Sequence, residues 1–188
     1  MKKNKLIFIT LSIVILLLIF SFSLSCNGSS DNKSSTVKEE ETTETVIKGS
    51  KEDPYSKNEI VLVEEVQWKL LEVENLGNTL EDPNGFLEDK KSTGSFIKIR
   101  FSVKNTGTKA KTLTSLKIVD KKEREFTSYP AFGYVEDNDE LFLLDNINPG
   151  IEKTYVDIYE IPTDAEGLML EITSLEFARE KAYIDLGL

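Results

Sequence analysis

The chain has 188 residues, 33 acidic and 23 basic, for a net charge of −10, with 39% apolar residues, no histidine and one cysteine. With no histidine and a single cysteine it can build no Ser-His-Asp triad, no Cys-His pair, no His-ligated zinc or haem site and no intrachain disulfide. Lys2, Lys3 and Lys5 precede every acid, so the remainder carries 20 basic and 33 acidic side chains, a balance of −13 that repels nucleic acid and anionic headgroups.

Met1–Lys5 is basic, Leu6–Phe20 is apolar except at Thr10 and Ser12, and Ser21–Ser25 is rich in small residues. These are the three regions of an export signal, and the only cysteine, Cys26, stands where such a signal is cut. In this the chain resembles a bacterial lipoprotein precursor, whose cysteine closes a short box and receives a diacylglycerol thioether before cleavage. Ser25 and Cys26 fit the last two positions of the box, whereas Ser23 departs from the usual aliphatic residue and Leu24 sits one place late. The resemblance implies lipid attachment at Cys26, removal of residues 1–25, and a body at the cell envelope facing the extracytoplasmic side. Stable anchoring follows from two or more acyl chains, because each buried CH₂ contributes ~0.8 kcal/mol. The alternative is an uncleaved anchor, since Leu6–Leu24 is about as long as the ~20 residues that span a bilayer.

Residues 26–58 read as a disordered tether. Glu39–Glu41 and Glu44 form an acidic run, and Val37, Val46, Ile47 and Tyr55 are the only large apolar side chains between Asn27 and Asn58. Burial on that scale does not offset the entropy of ordering.

Residues 59–188 read as short strands between turns. Ile60–Val63 is followed by Val66–Leu70 and then Leu71–Val73 on the opposite phase, which predicts a bulge near Leu70–Leu71. Trp68 reads as a plug between two sheets. Gly77–Gly94 reads as a loop. In Ser95–Gly107, Ile97, Ile99, Phe101 and Val103 alternate with Lys98, Arg100, Ser102 and Lys104 before an Asn-Thr-Gly turn, the clearest strand in the chain. Leu113–Val119 reads as one strand, Asp120–Arg124 as a hairpin turn, and Glu125–Tyr129 as the return with Phe126 inward. Pro130–Asn148 is a long connection that is either functional or holds a further strand. Asn148–Gly150 is a turn into Lys153–Ile161, where Tyr155, Tyr159 and Ile161 compete with Val156 and Ile158 for the inward face, and Pro162 stops the strand. Leu168–Ile172 and Ala182–Leu188 alternate, and Phe177–Ala182 has room for one helical turn.

This spacing predicts an all-β, antiparallel sandwich, large enough to bury roughly two thirds of its unfolded surface. The order of Phe101, Val103, Asn105 and Gly107, then Leu116 and Asp120, then Pro149-Gly150, then Ile161-Pro162 resembles the telokin-like, immunoglobulin-like domain of unknown function found in bacterial lipoproteins and secreted antigens. The resemblance spans about Val66–Leu188, implies an envelope-facing sandwich, and supplies no catalytic residues. Pro130–Asn148 is an insert relative to it.

Chemistry is sparse. Glu136, Asp137, Asp139 and Glu140 are the densest acid cluster, but Leu141 falls where the next calcium ligand would stand and no glycine follows. They read as a solvated acidic loop, with neither metal nor cofactor. No pair of carboxylates is singled out for hydrolysis. The candidate binding loop comprises Phe132, Tyr134, Asp137, Asp139 and Phe142, because loops on rigid sandwiches often bind. The expectation is therefore a non-enzymatic, lipid-anchored binding or accessory module of the envelope. Its partners would be the membrane, through the lipid, and an envelope protein or surface ligand, but no nucleic acid. The alternatives are a carboxylate-based hydrolase and a non-binding spacer or surface antigen.

Overall fold

The computed structural model describes residues 47–114, 116–173 and 180–188. The export signal, Cys26 and most of the tether lie outside them, as does the first half of the Phe177–Ala182 stretch. The strands are β1 (Val61–Val63), β2 (Val66–Leu80), β3 (Lys90–Asn105), β4 (Lys111–Leu113), β5 (Lys117–Val119), β6 (Glu125–Thr127), β7 (Asp145–Ile147), β8 (Glu152–Ile161), β9 (Met169–Thr173) and β10 (Lys181–Asp185). One sheet has the order β1-β2-β3-β8, a second β10-β9-β5-β6, and β4 pairs with β7; every pairing between these strands is antiparallel. The all-β sandwich expected from the strand spacing is the architecture found.

The alternation in β3 sets the layers. Ile97, Ile99, Phe101 and Val103 face the second sheet and are almost fully buried with Ile118, Leu170, Ile172 and Ile184. Trp68 is the expected plug: its ring lies 6.0 Å from Phe101 and 6.5 Å from Phe142. β8 resolves its ambiguity by burying both faces. Tyr155, Tyr159 and Ile161 enter the main core, while Ile158 joins a second cluster with Leu80, Phe96, Ala131 and Tyr134. That cluster exists because residues 129–141 fold across the outer face of the first sheet. The bulge appears where the phase slips, with the register to β3 shifting between Leu70 and Glu72.

Three expectations need correction. Gly77–Gly94 is strand over half its length, because β2 runs to Leu80 and β3 starts at Lys90, leaving residues 81–89 as the loop. The two arms are polar and supply each other's backbone hydrogen bonds, which no apolar period announces. Leu113–Val119 is two strands, with β4 pairing to β7 and β5 to β6 and β9. Pro130–Asn148, by contrast, does hold a further strand, β7, one of the two readings its length allowed. Residues 47–58 belong to the folded body rather than the tether: Tyr55 bridges Ile184, its backbone N–H donates to the Tyr183 carbonyl, and the Gly49 carbonyl accepts from the Tyr183 N–H.

Candidate functional site

The five residues of the expected binding loop do not act together. Tyr134 is buried, and its hydroxyl donates to the Glu88 carbonyl at 2.6 Å. The Phe142 ring fills the core, 5.2 Å from Phe101 and 5.1 Å from Tyr155. Asp139 is not solvated: its side chain is 4% exposed and takes both terminal nitrogens of Arg100, at 2.6 and 3.0 Å. Such a bidentate pair is strong and directional. These three side chains hold the segment down. Phe132, 61% exposed, and Asp137 remain at the surface.

Of the basic side chains of β3, Arg100 serves that anchoring, whereas Lys98 ties β3 to β2. Lys98 pairs with Glu74 at 2.8 Å, and Arg100 reaches Glu72 as well as Asp139. Hydrogen bonding to Asp139, ahead of every other influence, raises the Arg100 guanidinium above its ordinary range.

Sequence reasoning missed the partner loop, residues 81–89. Asp82 organises it, accepting from the backbone N–H groups of Asn84 (2.8 Å), Phe86 (2.5 Å) and Leu87 (2.6 Å). These donors, led by Asn84, hold the Asp82 carboxyl below its usual range. The turn lifts Phe86 to 89% exposure with Leu87 beside it. Leu87 packs over Gly133, where a β-carbon would sit 2.7 Å from the leucine Cδ1; that mobile side chain could yield, but the φ of +81° makes glycine the fitting residue. Asn84 also reaches Asp137, at 3.5 Å. Phe86, Leu87 and Phe132 thus form an apolar tip on two mutually supporting loops. The signal available in the sequence was Phe86-Leu87 directly after Asp-Pro-Asn-Gly, an apolar pair at a turn that buries nothing.

Beside the tip lies an open groove of about 510 Å³, walled by β2 residues 74–80 with Glu81 on one side and by Tyr134–Glu136 and Asp139 on the other. Among the described residues, no group of three or more acids is placed to hold a metal ion. One carboxyl, Asp157, is pushed up to about 6 by burial, but it is completely buried and does not line the groove.

The model of a domain of unknown function (DUF4352) matches residues 32–182. No curated protein matches the chain. Among solved structures, the yjhA protein from Bacillus subtilis superposes with a TM-score of 0.51 at 11% identity, over 70% of this chain and 98% of its own. A functionally unknown protein from Listeria monocytogenes EGD-e gives 0.50 at 12% identity, over 69% and 82%. An uncharacterized β-sandwich protein from Clostridium difficile 630 gives 0.44 at 14% identity, over 71% and 95%. At such identities the first two likenesses speak for the fold alone.

Proposed function

The chain belongs to the DUF4352 family of domains of unknown function, and from that premise we propose that it is a lipid-anchored, extracytoplasmic binding module of the cell envelope. The observation that carries the binding role is the two-loop tip. Phe86 and Phe132 stand 89% and 61% exposed on loops whose backbones are fixed by Asp82, Gly133, Tyr134 and Asp139. Exposed aromatics on a pre-organised surface are the residues that dominate binding energy when a partner covers them. A non-binding spacer would have no use for such a patch. A hydrolase would need convergent carboxyls in a cleft with one pKa raised; the raised one, Asp157, is sealed in the core.

The anchor rests on the lone Cys26 at the end of an export signal and on the lipoprotein resemblance of that region. The finer likeness to telokin-like domains of lipoproteins points to the same side of the membrane. The anchor is tested by growing cells with a tagged fatty acid and comparing the wild-type protein with Cys26→Ala. Label on the wild type and none on the variant is the expected result. Label on neither, with both proteins retained in the membrane, would make Leu6–Leu24 the anchor instead.

A further inference from the structure

The edges of the two sheets are treated unequally. β10 is flanked by Gly49 and Tyr55. The outer edge of β8 receives Ser128–Tyr129 and Glu140–Phe142, with bonds from Tyr129 N–H to Ile158, from Phe142 N–H to Val156, and from Val156 N–H to Glu140. The edge of β2 away from β3 is open over much of its length. There β1 covers only Val66–Trp68, Asn58 adds one bond to the Leu70 carbonyl, and among the described residues no strand lies against that side of Glu72–Leu80. The register to β3 is regular over Glu72–Asn75, between one shift at Leu71 and the next at Leu76. A regular edge presents alternate N–H and C=O groups as a template for another strand, and proteins normally blunt it.

Three features select the occupant. The edge opens into the groove, where Leu76 gives an apolar side and where Glu81 and Glu136, beside a Glu74 paired with Lys98, leave the rim with an excess of acids. Across β2, Glu72 faces Arg100 and Glu74 faces Lys98, so a strand added on the open side would set its own residues opposite the same two glutamates. Basic residues there extend the charge ladder and acidic ones oppose it. A second copy of this chain paired edge to edge would bring these glutamates against their own equivalents. The body's excess of acids steers cationic segments toward it. We infer that the β2 edge and its groove take an extended segment of a partner polypeptide with basic residues at alternate positions, which joins the first sheet as an added strand. This site goes beyond the tip and can work or fail without it.

The test uses the full-length lipoprotein in non-ionic detergent and a labelled, end-blocked nine-residue peptide of alternating Lys and Val, followed by fluorescence anisotropy. Comparison peptides carry Glu in place of Lys, or methyl groups on alternate backbone amides. The Lys peptide is expected to bind. Methylation should weaken it at least tenfold, Glu-for-Lys exchange should abolish binding, and the double variant Glu81→Lys with Glu136→Lys should weaken it at least fivefold. Phe132→Ala should leave it unchanged, which separates this site from the tip. Amide exchange at Glu72–Asn75 should slow when the peptide is bound. Absence of binding, or equal binding of the methylated peptide, overturns the inference, as does indifference to the charge reversals. A dimer of the protein that the peptide disperses would assign the edge to a second copy and equally overturn it.

Discussion

Asn105→Ala is expected to destabilise the domain by about 3 kcal/mol, lowering its melting temperature by roughly 10 °C. Asn105 is fully buried at the end of β3. Its side-chain nitrogen donates to the carbonyls of Lys109 (2.8 Å) and Ile147 (2.9 Å), and its oxygen accepts from the Gly107 N–H (2.9 Å). Its backbone N–H donates to Ile151 and its carbonyl accepts from Gly150. One side chain thus closes the turn after β3 and ties that turn to β7. Alanine strands the Ile147 carbonyl and the Gly107 N–H, and each buried group left unsatisfied costs ~1–3 kcal/mol. Asn105→Asp should be worse, because it turns an acceptor toward two carbonyl oxygens and buries a charge. Urea unfolding checks both variants, and a loss below about 1 kcal/mol for alanine would show that the turn holds without the side chain.

Asp157→Asn is expected to do the opposite and stabilise the protein at neutral pH by about 2–3 kcal/mol. Asp157 lies on the inward side of β8, completely buried, and accepts from the Ser128 hydroxyl, the Tyr159 hydroxyl (2.8 Å) and the Ile158 N–H (3.0 Å). These bonds join β8 to the residue after β6, but none comes from a cation. Burial outweighs them and raises the carboxyl from 3.8 to about 6. A raised carboxyl means that the folded state holds its proton more tightly than the unfolded one. Its contribution is therefore full below about pH 4, declines as pH rises, and is gone above about pH 6, with each unit worth ~1.4 kcal/mol. Asp145 and Asp164 act in the reverse sense. Each is held at about 2, Asp145 chiefly by Lys153 and then Tyr155, Asp164 chiefly by Lys122 and then Arg124, so their support fades only as pH falls below about 4. They cancel in the comparison of wild type with Asp157→Asn. Denaturation of both at pH 4 and pH 7.5 should give nearly equal stabilities at the lower pH and a more stable variant at the higher. Parallel curves would remove the linkage.

The sequence made the scaffold legible where one face of a strand is buried and the other is not. Ile97–Val103 alternates because its even partners face outward, and Trp68, the bulge at Leu71 and the Asn148–Gly150 turn stood out by residue type alone. What escaped depends on contacts distant in the chain. Residues 74–80 and 90–94 are polar and become strands only by pairing with each other. β4 and β5 read as one run because the change of sheet between them leaves no mark in hydropathy. Ile158 looked like a rival to Tyr159, whereas both are buried, because residues 129–141 supply a cover that period-two reasoning assigns to solvent. The same cover explains the loop residues. Asp139 looked solvated until Arg100, 39 residues earlier, came beneath it. Of the expected binding set, Phe132 and Asp137 stay at the surface, and Leu87, which packs over the adjacent Gly133, comes from a loop that sequence spacing could not bring to it.

The binding role is tested most directly by placing a photo-crosslinking phenylalanine analogue at position 132 of the full-length protein in the cells that make it, with the same analogue at Lys109, an exposed position beyond the opposite end of β3. A discrete crosslinked species from position 132 and none from position 109 is the expected result. No species from position 132, or the same species from both positions, would contradict a binding tip built from Phe86, Leu87 and Phe132.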